Sequence, residues 1–222
     1  MKAPTPIVKE LVLVGGGHSH VAVLKSFGMK PMPGVRITVI CKDVNTPYSG
    51  MLPGYLAGHY THEERHIDLR PLANFAGAQF YHAAVTGIDL EERRVHFVDR
   101  PPARFDVLSI NTGSTPNTSA IPGAREHALG VKPIDEFLEG WEKILARKED
   151  AEVLRVAVVG GGAGGVELTL STQFALKQRG IPAEFCLFTD TAEILPTQTA
   201  KYDKSTRRFS TNATSRCMLA RQ

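Results

Sequence analysis

Two glycine clusters carry the chemistry that can be read from this chain. Gly15-Gly16-Gly17 follows the apolar run Leu11-Val12-Leu13-Val14, and Gly160-Gly161-Gly162-Ala163-Gly164-Gly165 follows Val156-Ala157-Val158-Val159. A glycine turn between a strand and a helix lets the backbone come close to a pyrophosphate. The N–H groups at the helix start then bind its charge, helped by a dipole of about half an elementary charge. In the second cluster Gly160, Gly162 and Gly165 complete G-x-G-x-x-G, with Glu167 two residues on, expected in the first helical turn. In the first cluster Gly15 and Gly17 are in place, but His20 stands where the third glycine belongs. That glycine normally permits close helix–strand packing, so the imidazole predicts a displaced helix or a different local contact. His18 and His20 are read as polar packing residues, with a catalytic role or ligand contact the other reading. Two such turns point to a chain that holds two dinucleotides and passes a hydride between them.

An acid at the end of the strand after each helix ordinarily bonds the adenosine ribose. Here Cys41 follows Ile40 and the nearest acid is Asp43, whereas Asp190 follows Phe188-Thr189. Asp190 suits a ribose hydroxyl and disfavours a 2′-phosphate, which gives a preference for NADH. The chain shows no Ser/His/Asp elbow, no HExxH, no calcium loop and no Walker lysine. His59, His62 and His66 have helical spacing, but beside Glu63, Glu64 and Arg65 they read as a solvated face, and no metal site is expected. Cys41, Cys186 and Cys217 are far apart, which argues against a disulfide framework or a redox dithiol; Cys41 and Cys186 are expected to be buried, inert thiols.

The elements that must position these turns follow from period and punctuation. Leu11–Val14 reads as a strand buried on both faces, residues 20–27 as a helix, and Val35–Ile40 as a second strand, a βαβ unit in a parallel, doubly wound sheet. Residues 47–58 are too rich in proline and glycine for a helix start and too apolar for a solvated loop, so they are expected to pack on something such as a ligand. Gln79–Ile88 and Arg94–Val98 read as antiparallel strands, and Phe105–Ile110 as a buried strand. Residues 116–134 are loop-like. Ile134–Arg147 is an amphipathic helix with Phe137, Leu138, Trp141, Ile144 and Leu145 on one face. The pattern then restarts with strand Val156–Val159, helix Gly164–Arg179 and strand Ala183–Phe188.

Composition excludes several classes. With 42% hydrophobic and 22% charged residues the chain is an ordinary globular one, and no apolar run approaches the ~20 residues needed to span a bilayer. The start lacks a secretory signal, so a cytoplasmic protein is expected, with peripheral membrane association open. The net charge of +3 misleads: residues 201–222 hold six Lys or Arg against one Asp, a local +5, and the remaining residues carry −2. Nucleic-acid binding by the folded part is therefore not expected. The polar, basic tail has no apolar period and reads as disordered.

The first turn, the string Asn111-Thr112-Gly113-Ser114 and the second G-x-G-x-x-G-x-E together resemble the two-dinucleotide flavoprotein oxidoreductases. The dithiol-free branch near type II NADH dehydrogenases and sulfide:quinone oxidoreductases is the better match. GGGHSHVAVL and TPYSGMLPGY resemble the NADH-dehydrogenase-like flavoproteins fused to or associated with selenide, water dikinase. The resemblance covers roughly residues 8–200. It implies a Rossmann-like α/β fold that binds FAD and NAD(P)H. Residues 1–125 would form the N-terminal part of the FAD-binding domain, 126–150 a linker and helix, 151–200 the first half of the NAD(P)-binding domain, and 201–222 a disordered or aberrant tail. By position, Gly15, Gly17, His18 and Ser19 would lie at the FAD pyrophosphate, Lys42, Asp43 and the backbone near Val85 at its adenosine, and Ser49, Thr112 and Gly113 at the flavin end. Gly160, Gly162, Ala163, Gly165, Glu167 and Asp190 would face NAD(P)H. Electrons would pass to a small-molecule acceptor such as a quinone, with no dithiol and no identified catalytic side chain. Such proteins are longer than 222 residues, and the pattern, the apolar period and the charge balance all change near residue 202. The chain is accordingly expected to be C-terminally truncated, its tail out of frame, with a one-site nucleotide-binding module as the alternative function.

Overall fold

The computed structural model describes residues 6–118, 121–146, 153–190 and 194–195, together with the backbone of 209–211 and 217–220. In chain order the elements are β1 (Lys9–Val14), α1 (His18–Met29), β2 (Val35–Cys41), β3 (Asn45–Pro47), a 3-10 turn (Ser49–Met51), α2 (Leu52–Leu56), β4 (His66–Asp68), α3 (Leu69–Phe75), β5 (Gln79–His82), β6 (Val85–Asp89), β7 (Arg94–Phe97), β8 (Ala103–Arg104) and β9 (Val107–Ile110). They continue with α4 (Ala124–His127), α5 (Ile134–Ala146), β10 (Leu154–Val159), α6 (Ala163–Gln178), β11 (Ala183–Phe188), β12 (Phe209–Thr211) and β13 (Cys217–Ala220). The fold is α/β and Rossmann-like, in two compact units: residues 1–48 with 66–138, and residues 49–65 with 139–222.

The first unit has three layers around a parallel sheet of order β5-β2-β1-β9. Side chains alternate across β1. Leu13 faces one side with Ile37 and Val39, against Leu24 of α1 and Ala73 of α3. Val12 and Val14 face the other with Ile40, against Val95 of the antiparallel β6-β7-β8 meander and Phe105, which follows β8. The central strand is therefore buried on both faces, as its unbroken apolar run predicts. Each fully buried side chain such as Leu13 or Leu24 contributes about 1.5–3 kcal/mol. The span Gln79–Ile88 is not one antiparallel strand. Gln79–His82 runs parallel to β2, and after Ala83, whose N–H donates to the Cys41 carbonyl, Val85–Asp89 turns into the meander. α3, absent from the sequence expectation, is capped by Asp68, which accepts from the Arg70 N–H; the Arg70 guanidinium on the same carboxylate holds it below the usual carboxylate range.

In the second unit β10 and β11 are parallel, and α6 packs Val166 against Leu187. Residues 47–58 correct the expectation of a non-helical segment. A 3-10 turn leads into α2, where Pro53 sits in the first turn and its missing N–H has no helical partner to lose. α2 lies against α6, and the His59 ring stands 5.8 Å from that of Phe174. His59, His62 and His66 do not share a helix face, since His66 opens β4. Among the described residues no group of three His, Cys, Asp or Glu could hold a metal, and no helix is long and apolar enough to cross a membrane. Within the tail, β13 pairs antiparallel with β11 and with β12; the rest of the tail lies outside the described residues. Cys186 is disulfide-bonded, which corrects the reading of it as a free thiol. The chain folds back so that Cys217 stands opposite Phe188, a strand pairing the local sequence does not announce.

Candidate functional site

Both glycine clusters turn a parallel strand into a helix by the same hydrogen-bond closure. Gly15 has φ +94° and its N–H donates to the Ile40 carbonyl at 2.8 Å; Gly160 has φ +123° and its N–H donates to the Phe188 carbonyl at 2.8 Å. The positive φ is a conformation that only glycine adopts without strain. Gly17 and Gly162 then cap α1 and α6 in extended conformation. Neither helix start has a side-chain cap or an acid in its first turn; in α1 the His20 N–H turns back to the Gly17 carbonyl at 2.9 Å. Glu167 is the fifth residue of α6, one residue further in than the sequence suggests and just past the first turn, and is exposed.

The third position separates the two turns. At Gly165 an added Cβ would fall deep inside the carbonyl of Gly160, so the glycine is what lets α6 sit against its strand. At the matching place in the first turn, His20 is 1% exposed. Its Nδ1 lies 2.7 Å from the Gly15 carbonyl and its Nε2 2.9 Å from the Ser109 hydroxyl. A carbonyl only accepts, so Nδ1 carries the proton and donates to Gly15; on the neutral ring Nε2 accepts from Ser109. His20 is thus a packing residue tied to β9. His18 and Ser19 are exposed at the start of α1, and the His18 ring meets Tyr48 edge-on at 4.6 Å.

The walls differ as well. Asn111, which follows β9, receives the Gly17 N–H on its carbonyl at 3.1 Å and donates its own N–H to Val14 at 2.8 Å. A Cβ on Gly15 or Gly17 would collide with Asn111. Thr112 and Gly113 continue beyond it, exposed, with Gly113 at φ +90°. Lys132 Nζ donates to the Ser114 hydroxyl at 3.1 Å and so reaches the same loop. At the second turn a Cβ on Gly160, Gly162 or Gly164 would meet nothing within 4 Å. Ala163, the first residue of α6, is exposed beside them.

The strand ends place the remaining candidates. Cys41 and Thr189 occupy equivalent places, each packed under the middle glycine of its turn, Gly16 and Gly161. Burial pushes the Cys41 thiol up, an effect only partly offset by backbone N–H groups around it. One residue further on, Lys42 in the first unit corresponds to Asp190 in the second; both are exposed, as is Asp43. The Lys42 carbonyl accepts from His82 Nε2 at 2.8 Å. Val85 opens β6, half-buried against the meander core, and Ser49 belongs to the second unit. Asn111, Ser109 and Lys132 are the residues that sequence reasoning missed in these roles. The string Asn111-Thr112-Gly113 was a signal for the first. For Ser109, 89 residues from His20, no local signal exists.

Residues 9–204 match the family model described as pyridine nucleotide-disulphide oxidoreductase. The chain is 29% identical over 170 residues to the NADH dehydrogenase-like protein YutJ of Bacillus subtilis (strain 168), covering 72% of this chain and 44% of that protein. It is 32% identical over 110 residues to the demethylphylloquinone reductase NdbB of Synechocystis sp., covering 47% and 27%. Among solved structures it is similar to NDH2 from Plasmodium falciparum in complex with NADH, with a TM-score of 0.74 and 20% identity over 90% of this chain and 45% of that one. The chain therefore spans less than half the length of these relatives.

Proposed function

Since the chain belongs to the pyridine nucleotide-disulphide oxidoreductase family, we propose that it is an FAD-dependent NAD(P)H oxidoreductase holding FAD at the first turn and NAD(P)H at the second. The observation that carries this is the repeated closure: Gly15 and Gly160 each bond the end of the next strand and leave an uncapped helix start above them. The residues fit both groups. Gly15, Gly17, His18 and Ser19 would hold the FAD pyrophosphate, Lys42, Asp43 and the Val85 backbone its adenosine, and Thr112 and Gly113 its flavin end. The open space over Gly160 and Gly162 leaves room for a pyrophosphate at van der Waals distance, with Ala163, Gly165 and Glu167 along the helix start and Asp190 at the ribose. When bound, the flavin supplies the redox chemistry; the side chains bind and orient the two cofactors.

The acceptor we propose is a small molecule of the quinone class, a reading supported by the demethylphylloquinone reductase and the NAD(P)H-ubiquinone oxidoreductases among the relatives. Asp190 favours NADH over NADPH. We also propose a cytoplasmic location with peripheral membrane contact, and a functional link to selenide, water dikinase resting on GGGHSHVAVL and TPYSGMLPGY. Co-purification tests the link. The departure of the tail from the family pattern near residue 202 is tested by reading the coding DNA for a frame that continues the family pattern.

Visible absorbance of the purified chain is the deciding measurement. A yellow protein whose flavin band is bleached by NADH supports the oxidoreductase. A colourless protein that still binds NADH supports the second reading, a one-site nucleotide-binding module. Binding of neither cofactor overturns both.

A further inference from the structure

We propose that His20 is a positioning residue for the first dinucleotide site, and that the imidazole there does better than the glycine of the usual fingerprint. The inference rests on FAD occupying the first turn. Nδ1 of His20 holds the Gly15 carbonyl at 2.7 Å, and Nε2 reaches Ser109 of β9 at 2.9 Å. Asn111, two residues beyond Ser109, accepts the Gly17 N–H and walls both Gly15 and Gly17. One buried ring therefore joins the strand-to-helix turn to the strand that carries its wall. The spacing between Gly15–Gly17 and the loop Thr112–Gly113 is set by this tie and by the β1–β9 pairing, in which Leu13 stands opposite Ser109 and Val14 opposite Ile110.

The consequence runs against the fingerprint. In the second turn the helix is placed by the missing side chain of Gly165 against the Gly160 carbonyl. In the first turn α1 stands far enough off to admit a ring. His20→Gly would restore the G-x-G-x-x-G spelling but leave a void at a fully buried site and the Gly15 carbonyl without its donor. The turn would then populate its binding geometry only part of the time, and affinity falls by that fraction. Asn carries an amide nitrogen at the place of Nδ1 and retains the bond to Gly15.

The test is flavin binding by the full chain, read as FAD fluorescence quenching on titration of flavin-stripped protein, with NADH binding as an internal control. The expected result is FAD affinity about tenfold weaker in His20→Gly, largely rescued in His20→Asn, with NADH affinity unchanged in both. Wild-type or tighter FAD binding by His20→Gly, or equal losses in the Gly and Asn variants, overturns the proposal while leaving the FAD assignment intact. A wild-type chain that takes up no FAD overturns the assignment and the proposal with it. Should His20→Gly not fold, Ser109→Ala carries the test, since it keeps the ring and removes only the second anchor. A reduced affinity supports the tie, and an unchanged one overturns it.

Discussion

The two glycine turns share one backbone device and sit in opposite surroundings. The first ends a central strand: β1 has β2 on one side and β9 on the other, Val14 is 5% exposed, and Asn111 closes over the glycines. The second ends a strand paired on one side only among the described residues; Val159 is 68% exposed and Gly160, Gly162 and Gly164 face open space. In the first, glycine is required by what the protein packs against the turn. In the second, it is required by the positive φ of Gly160, by Thr189 under Gly161 and by the Gly160 carbonyl at Gly165, while Gly162 and Gly164 face open space. The same residue type at the same spacing thus meets a packed wall in one unit and largely open space in the other.

Three sets of variants would break or sharpen this contrast, ordered by expected loss of folded stability. Gly165→Ala forces a methyl group into the Gly160 carbonyl and should cost about 3 kcal/mol in urea unfolding of the second unit, with loss of NADH binding and retention of flavin. A cost near zero would show that α6 is free to shift, and would end the claim that Gly165 sets its place. Next come the two positive-φ glycines as a pair. Gly15→Ala adds a clash with the Asn111 backbone to the backbone strain and should cost about 2–3 kcal/mol, whereas Gly160→Ala carries the strain alone, about 1 kcal/mol. Equal costs would mean that the Asn111 wall yields and that the two turns differ less than their surroundings suggest. The smallest change in stability belongs to Gly162→Val, within about 0.5 kcal/mol, because the residue has φ −75° and open space around its Cβ position. Its effect should appear instead in NADH affinity, weaker by about tenfold or more, with bound flavin unaffected. Unchanged NADH affinity would remove the second turn as the nicotinamide site.

The more local a feature of this fold, the more of it the sequence predicts. The strand Ala183–Phe188 and the start of the helix at Ile134 have the bounds that alternation and amphipathic spacing predict. Gln79–His82 pairs parallel with β2 rather than antiparallel, a difference the sequence does not carry because a strand's alternation is identical in either case. The proline and glycine content of residues 47–58 argues against a helix start, yet α2 forms there because the first turn of a helix tolerates Pro53. Of the candidate site, Gly15, Gly17, Gly160, Gly162 and Gly165 were legible because a tight turn and a close approach restrict residue type. The role of His20 was legible only as an anomaly.

The sequence by itself determined the two strand–turn–helix units, the intact fingerprint at Gly160–Gly165 and the interrupted one at Gly15–His20. Those features depend on conformations and spacings within about twenty residues. Tertiary structure decided what surrounds each turn. β9, about ninety residues after β1, pairs beside it and brings Asn111 over the glycines and Ser109 to the far nitrogen of His20. Strand order and long-range hydrogen bonds have no local signature, because the free energy that selects them comes from burial and pairing across the whole fold. For that reason the histidine in place of glycine could be noticed in the sequence but not explained by it.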